Sequence, residues 1–289
     1  WISKALGLPD ARSAVEHYSV WGGVPRYWEL ARGFGLDDAV VDLVLSPLGV
    51  LHREPERLLR DDLRDTRQAA SILSLIGQGC HRLSEIAARL QKPSTSLSRP
   101  MKVLIDMGLV HREMPFGQSP RSSKRTLYVI ADPFLGFWFK LVDTNRSRLE
   151  AGQAEFVWNE SIDEFRRHVA WTWENLVRRS IARAEIESTR WEPGSRWWGN
   201  GTDGKMIELD VVSQSTGDPD RLLVGEGKLS CRRNEASRLL HGLEKKAANL
   251  PFAEGKRVDL RLWVLKNPQP SKGGQTIGPD KVIEALSGQ

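Results

Sequence analysis

Residues 207–230, IELDVVSQSTGDPDRLLVGEGKLS, set Glu208, Asp210, Glu226 and Lys228 inside two otherwise apolar runs around a polar turn. Strand side chains alternate with period two, so Glu208 and Asp210 share one face, and Glu226 and Lys228 share a face of the next strand. If the strands are neighbours, carboxylates from both converge beside one ammonium group. Burying such charges is costly unless they are paired or bind an ion. Two carboxylates with a backbone carbonyl and waters describe a Mg²⁺ site. A lysine there can orient or deprotonate a water, while the metal lowers that water's pKa and clamps a phosphate. Spacing alone is uninformative: Asp203–Gly204–Lys205, Glu244–Lys245–Lys246 and Glu254–Gly255–Lys256 are also acid-x-Lys triplets. Only Glu226 and Lys228 end an apolar strand that follows another strand bearing an acid. A structural Lys–carboxylate cluster at a sheet edge is the competing explanation; acids drawn from two strands favour the metal site.

The elements that must position these residues follow from periodicity. From about residue 160 the pattern predicts a long helix (SIDEFRRHVAWTWENLVRRSIARAEI), a short strand (ESTRWEP) and a glycine-rich turn (RWWGNGTDG). The two strands above, a second long helix (RRNEASRLLHGLEKKAANL) and a last strand (RVDLRLWVLKN) complete an α/β layer. Trp197 and Trp198 before the glycine turn fit the closing of a sheet edge better than base stacking.

Upstream, residues 66–131 predict three helices and a two-stranded ribbon, the order of a winged helix-turn-helix. RQAASILSLIGQG is amphipathic, LSEIAARL has Ser84 placed as a cap, and the third helix ends at Gly108. Pro100 suits the first turn of that third helix better than its interior. Ser94, Thr95, Ser96, Ser98, Arg99 and Lys102 at its start, and Arg121, Lys124 and Arg125 on the wing, are donors and cations suited to phosphates and base edges. A winged helix used for protein packing is the alternative. Phe134, Phe137, Trp138 and Phe139 in DPFLGFWF have the helical spacing of core residues. Residues 1–65 read as helices around a Gly22–Gly23 break.

Composition sets the outer bounds. The 289 residues, 40% hydrophobic and 27% charged, describe a globular chain without disordered bias. No apolar run is long enough to span a membrane, and Cys80 and Cys231 form no disulfide framework, so a reducing, cytoplasmic setting is the expectation. Between residues 89 and 148, eleven Arg and Lys face four Asp and Glu, a local balance of +7 within a net charge of +5. A localised basic segment is the footprint of polyanion binding, or else a solvated surface. No GxxxxGK[ST] loop is present, so nucleotide hydrolysis of that kind is not expected of this segment. The start at Trp1 leads us to expect a longer protein with a domain upstream.

Helix, three strands, helix and strand, with Asp210 and then Glu226-x-Lys228, resemble the PD-(D/E)XK nuclease superfamily. VWGGVPRYWELA, the winged helix, DPFLGFWF and RWWGNG…IELDVV…LLVGEGKLS together are similar to the C-terminal part of archaeal-type AAA/STAND ATPases. That resemblance implies an α+β, α/β multidomain chain in three parts. A helical lid at 1–65 follows an ATPase domain; a winged helix with an aromatic connecting helix occupies 66–152; a restriction-endonuclease-like α/β domain occupies 153–289. It makes Asp210 and Glu226 ligands of Mg²⁺ or Mn²⁺, Lys228 the catalytic or phosphate-contacting lysine, and Glu174 a helper of the metal or a water. It sets Pro25 and Arg26 near ATP bound by the upstream domain. Gly227 inside the motif and the lack of a proline before Asp210 depart from the superfamily pattern. The implied function is metal-dependent hydrolysis of DNA as part of an ATPase; the alternative is a silent nuclease fold serving as a DNA- or partner-binding module.

Overall fold

The structure, a computed structural model, describes residues 1–62, 66–119, 125–232, 235–266 and 275–288. It is a mixed α+β chain that divides into two compact units. Unit 1 comprises Trp1–Pro9, Glu16–Glu113 and Thr126–His168; unit 2 comprises Asp10–Val15, Met114–Arg125 and Val169–Gln289.

Unit 1 is organised around the helix Pro133–Leu141. Its start is set chemically: Asp132 caps it by accepting from the Leu135 amide at 3.0 Å, and Pro133 occupies the first turn. Phe134, Phe137, Trp138 and Phe139 are fully buried, as their spacing predicted. Tyr27 packs its ring 4.7 Å from Phe134, and the Trp138 indole donates to the His52 carbonyl at 2.8 Å. Both partners come from the first 65 residues, so that segment shares one core with the helices after it.

Three helices, Thr66–Gly77, Leu83–Arg89 and Ser94–Asp106, lead into strands β1 (Val110–Glu113) and β2 (Leu127–Ile130), which pair antiparallel from Val110↔Ile130 to Glu113↔Leu127. Two local expectations are corrected. The second helix is entered from Arg82, whose amide donates to Glu85, so Ser84 lies inside it rather than capping it. Pro100 is interior to the third helix. It withdraws the amide that would meet the Ser96 carbonyl, and exposed Ser96 leaves that carbonyl within reach of water.

Unit 2 is a five-stranded sheet in the order β3-β4-β5-β6-β7, comprising Ser195–Asn200, Met206–Gln214, Arg221–Ser230, Arg257–Lys266 and Thr276–Ile277. β3, β4 and β5 pair antiparallel, while β5–β6 and β6–β7 are parallel. The helix Ala236–Ala248 forms the crossover that a parallel pair requires. Its Leu243 and Ala247 pack with Val224, Leu262 and Val264 of the sheet. The run from Leu222 to Gly227 is buried without alternation, the mark of a strand covered on both faces. Another expectation changes here: RWWGNG is the edge strand β3 rather than a turn, and ESTRWEP contributes only isolated bridges. Trp197 goes into the sheet core, where the strand preference of two aromatics outweighs Gly199 and Asn200.

His168 gives unit 1 a pH dependence. It is buried, its Nε2 donates to the Ser19 carbonyl at 2.7 Å, and burial pulls its pKa down to about 4. The folded protein therefore holds it neutral where the unfolded chain protonates it. Stability is full above pH 6.5 and declines as pH falls toward 4, by a total on the order of 3 kcal/mol. Denaturant titrations from pH 4.5 to 7.5 should show this slope as the stability difference between the wild type and His168→Gln, which keeps a donor for Ser19.

Candidate functional site

The site begins with an irregularity in β4. Against β3 the register runs Asn200↔Met206 to Trp197↔Leu209 and then jumps to Ser195↔Val212. Two residues, Asp210 and Val211, thus oppose Arg196 alone, which is a β-bulge. On the other side, pairing of β4 with β5 runs only from Gln214↔Leu222 to Val211↔Gly225. β5 continues beyond that point with β6 as its partner, to Ser230↔Lys266. At this opening the Gly227 amide is met by a side chain in place of a backbone carbonyl: it donates to Asp210 Oδ2 at 3.0 Å.

The helix Ile162–Ile181 supplies the third acid. Glu174 lies over Gly227, where a Cβ would come within 3.0 Å of the Glu174 Cγ. At Gly225 a Cβ would fall 2.2 Å from the Trp263 ring and 2.6 Å from the Arg261 carbonyl. The two glycines flanking Glu226 thus admit a tryptophan and a glutamate against the strand. Gly227, a departure from the superfamily pattern, is what makes room for Glu174.

Glu226 is buried and gripped on both oxygens: Lys228 Nζ reaches Oε2 at 2.7 Å and Lys246 Nζ reaches Oε1 at 2.5 Å. Lys246 comes from the crossover helix and also donates to the Glu208 carbonyl at 3.2 Å. Burial works to raise the Glu226 pKa, but the hydrogen bonds from the two lysines prevail and hold it below the usual value. Lys228 is raised: burial opposes its charge, and Glu226, Asp210 and Glu174 outweigh that. The other two acids lack such cover. Burial first, and the Asp210 charge second, push Glu174 up to about 7. Asp210 is also raised, by burial and the charge of Glu226, against the pull of Lys228 and the Gly227 amide.

Glu174, Asp210, Glu226 and Lys228 are therefore brought together, from one helix and two strands. Glu208 is not among them: it is exposed and ion-paired with Arg196. Three basic residues around the cluster escaped the sequence. Arg178 donates to the Asp210 carbonyl at 3.0 Å and tempers Glu174; its i,i+4 relation to Glu174 was a usable signal. Arg196 also tempers Glu174. Lys246 stood in a triplet dismissed as a spacing coincidence, and only the crossover shows where it points.

Among the described residues, no group of three or more His, Cys, Asp and Glu side chains is gathered closely enough to hold a metal ion. Glu226 is turned to its lysines, which leaves Glu174 and Asp210 as the pair short of positive charge. Two partly buried carboxylates, both harder to ionise than usual, are a donor set that a divalent cation would relieve, so the residues fit Mg²⁺ or Mn²⁺.

The remaining expected contacts lie elsewhere. Ser94, Thr95, Ser96, Ser98, Arg99 and Lys102 are all exposed on one helix, while Leu97, Met101 and Leu104 turn inward. Lys102 pairs with Asp106 at 2.7 Å. Arg125 is exposed and its guanidinium lies on Gly199 of β3; Arg121 and Lys124 lie outside the described residues. Pro25 opens the helix Pro25–Ala31, and Arg26 pairs with Glu29 at 3.0 Å on its exposed side.

Comparison with known proteins locates the site within a family match. Residues 138–239 match the family model DUF234, described as archaea bacterial proteins of unknown function. That span contains Glu174, Asp210, Glu226 and Lys228 and ends before Lys246. The chain is also similar to an uncharacterized protein of Methanocaldococcus jannaschii, 24% identical over 215 residues. This covers 73% of the chain and 46% of the relative, so the chain spans about half the length of that protein. No solved structure matches.

Glu174 yields a test with metal-free protein. Its folded pKa is raised, so the folded state binds a proton more tightly than the unfolded state. Its contribution is fully present below about pH 4.5 and is lost as pH rises through about 7. In chelator, the melting temperature of the wild type relative to Glu174→Gln should fall over that window, a comparison that cancels the opposite slope from His168. Gly225→Ala, which drives a methyl into Trp263, should cost several kcal/mol, roughly the scale of an overpacked core, read as a lowered denaturation midpoint.

Proposed function

We propose that this chain is the DNA-binding and nuclease part of an ATPase, hydrolysing phosphodiester bonds with Mg²⁺ or Mn²⁺. The observation that carries the proposal is the convergence of Glu174, Asp210, Glu226 and Lys228 at the open end of β4 and β5. Mixed-sheet topology around those four residues is what the PD-(D/E)XK resemblance calls for, and it supports assigning unit 2 to that fold.

Asp210 and Glu174 would hold the cation, and Glu226, the other ligand that the resemblance implies, would join them only on release from Lys228 and Lys246. A bound divalent cation supplies charge neutralisation at the phosphate and acidifies a coordinated water. The rest of the work falls to the chain. Lys228, kept charged by three carboxylates, is suited to contact a phosphate oxygen, where its ammonium stabilises charge that builds up as the bond breaks. Glu174, lying over Gly227 in the same cluster, is suited to orient the attacking water, whose proton passes to solvent. Water oxygen forms the new bond to phosphorus, the bond from phosphorus to the leaving sugar oxygen breaks, and that oxygen takes up a proton from solvent. The exposed donors from Ser94 to Lys102, set on the third helix of a winged-helix order, would seat the duplex. Their contacts to phosphate make binding fall steeply with salt. The ATPase domain, with Pro25 and Arg26 near its nucleotide, rests on the resemblance alone.

A second function has one observation in its favour: both Glu226 oxygens are already satisfied by lysines. A cluster neutralised in this way could persist as structure, leaving a DNA- or partner-binding module of the ATPase. Supercoiled-plasmid nicking separates the two. Under the nuclease proposal nicking requires Mn²⁺, stops with chelator and is lost in Lys228→Ala at nearly unchanged DNA affinity. Under the alternative there is no metal-dependent nicking, including in the longer protein with ATP, while Arg99→Ala with Lys102→Ala weakens DNA binding about tenfold or more, measured by fluorescence anisotropy.

A further inference from the structure

Lys246 reaches the acid cluster from the crossover helix Ala236–Ala248. That helix is held against the sheet by Leu243 and Ala247. Just past its end, the Asn249 carbonyl accepts from the Thr202 amide, in the turn between β3 and β4, at 2.9 Å. Lys246 lies in the last turn, where a cation suits the helix dipole. The backbone that carries the lysine is therefore anchored at both ends of its reach, and the flexible four-carbon side chain is the part that can move.

Its ammonium has two acceptors, Glu226 Oε1 at 2.5 Å and the Glu208 carbonyl at 3.2 Å. Glu208 belongs to the stretch of β4 that β5 no longer pairs, so Lys246 stands at the opening where Asp210 meets the Gly227 amide. A carboxylate oxygen from one strand and a backbone carbonyl from its neighbour are hard donors, the kind that Mg²⁺ or Mn²⁺ takes. An ammonium thus holds two oxygens suited to a divalent cation. The same contact accounts for the lack of a three-acid group among the described residues, because Glu226 faces lysine and not Glu174 and Asp210.

The two lysines on Glu226 are not equivalent. Lys228 takes Oε2 at 2.7 Å from within the same strand, and the charges of Asp210 and Glu174 add to its hold. Lys246 takes Oε1, has Glu226 as its one ion-pair partner among the described residues, and is 40% exposed. Swinging the Lys246 side chain into solvent would free Oε1 and leave Oε2 on Lys228. Glu226 would then offer one oxygen beside Asp210 and Glu174 while the other kept it anchored.

We propose that Lys246 is an internal stand-in for the cation, a positioning residue that keeps Glu226 out of the metal site until its own side chain swings away. Loading the site with a divalent cation therefore requires Lys246, and not Lys228, to let go. This latch rests on the metal reading of the cluster and adds to it the residue that sets how readily the site fills.

The test is Mn²⁺ binding to the full chain without nucleic acid, read by calorimetry and by electron paramagnetic resonance of the free ion. Lys246→Met keeps the aliphatic stem and removes the charge; Lys246→Gln gives the same readout should the methionine variant lose stability. Lys245→Met removes an exposed charge one residue away and controls for a general change in electrostatics. Asp210→Asn assigns the signal to this site and should abolish it. Both Lys246 variants should bind Mn²⁺ about tenfold more tightly than the wild type, with Lys245→Met unchanged. Unchanged or weaker binding in the Lys246 variants, or an equal gain in Lys245→Met, would overturn the latch and leave the metal site standing. Absence of Asp210-dependent Mn²⁺ binding in every protein would overturn the metal site and the latch with it.

Discussion

Two carboxylates that burial discourages from ionising, Glu174 and Asp210, face one another at the place where β4 leaves β5. Much of unit 2 can be understood as what is needed to bring them there. The bulge ends the alternation of the strand at Asp210, and the Gly227 amide receives its side chain. Gly227 gives Glu174 space. Arg178 and Arg196 temper the charge of Glu174, and two lysines neutralise Glu226 nearby. The result is graded electrostatics: one carboxylate fully compensated, two left partly uncompensated, and an ammonium held firmly charged between them. Such division of pKa values among neighbouring acids is how one site keeps carboxylates of unlike charge beside a charged contact at the same pH.

Unit 1 solves a different problem. Its aromatic helix Pro133–Leu141 is buried on nearly every side, drawing on Tyr27 and His52 from early in the chain. That core leaves the outer face of Ser94–Asp106 without a packing duty, which is why short hydroxyls and cations can occupy it. The third helix thus carries an exposed face of hydroxyls and cations while its inward Leu97, Met101 and Leu104 do the folding.

How much of this could be read from residues alone depended on whether the determinant was local. The three helices and ribbon of residues 66–131 follow from periodicity and turn residues, as do the long helix after residue 160, β4, β5, the crossover helix and β6. Burial of Phe134 through Phe139 follows from helical spacing. Glu226 and Lys228 stood out because an apolar strand does not ordinarily end in charge. Period two held from Met206 to Asp210, so Glu208 shares the face of Asp210; what alternation could not tell is that Glu208 stays exposed and pairs with Arg196 in place of joining the cluster. RWWGNG was misjudged because glycine and asparagine weigh toward a turn locally, whereas β4 and the sheet core decide the matter from a distance. Lys246 was legible only as composition, since its role depends on a parallel crossover that brings a helix back over β5.

The bulge at Asp210 and Val211 also separates the tolerance of the fold from that of the chemistry. On one side of it β4 is in frame with β3; on the other it is in frame with β5. Losing one residue there would give an unbroken, alternating strand that the sheet could accept. It would also rotate the acid out of reach of Gly227. An indel that a hydrophobic core can absorb is therefore one that the carboxylate cluster cannot, and the length of β4 is constrained by what it carries and not by what it packs against.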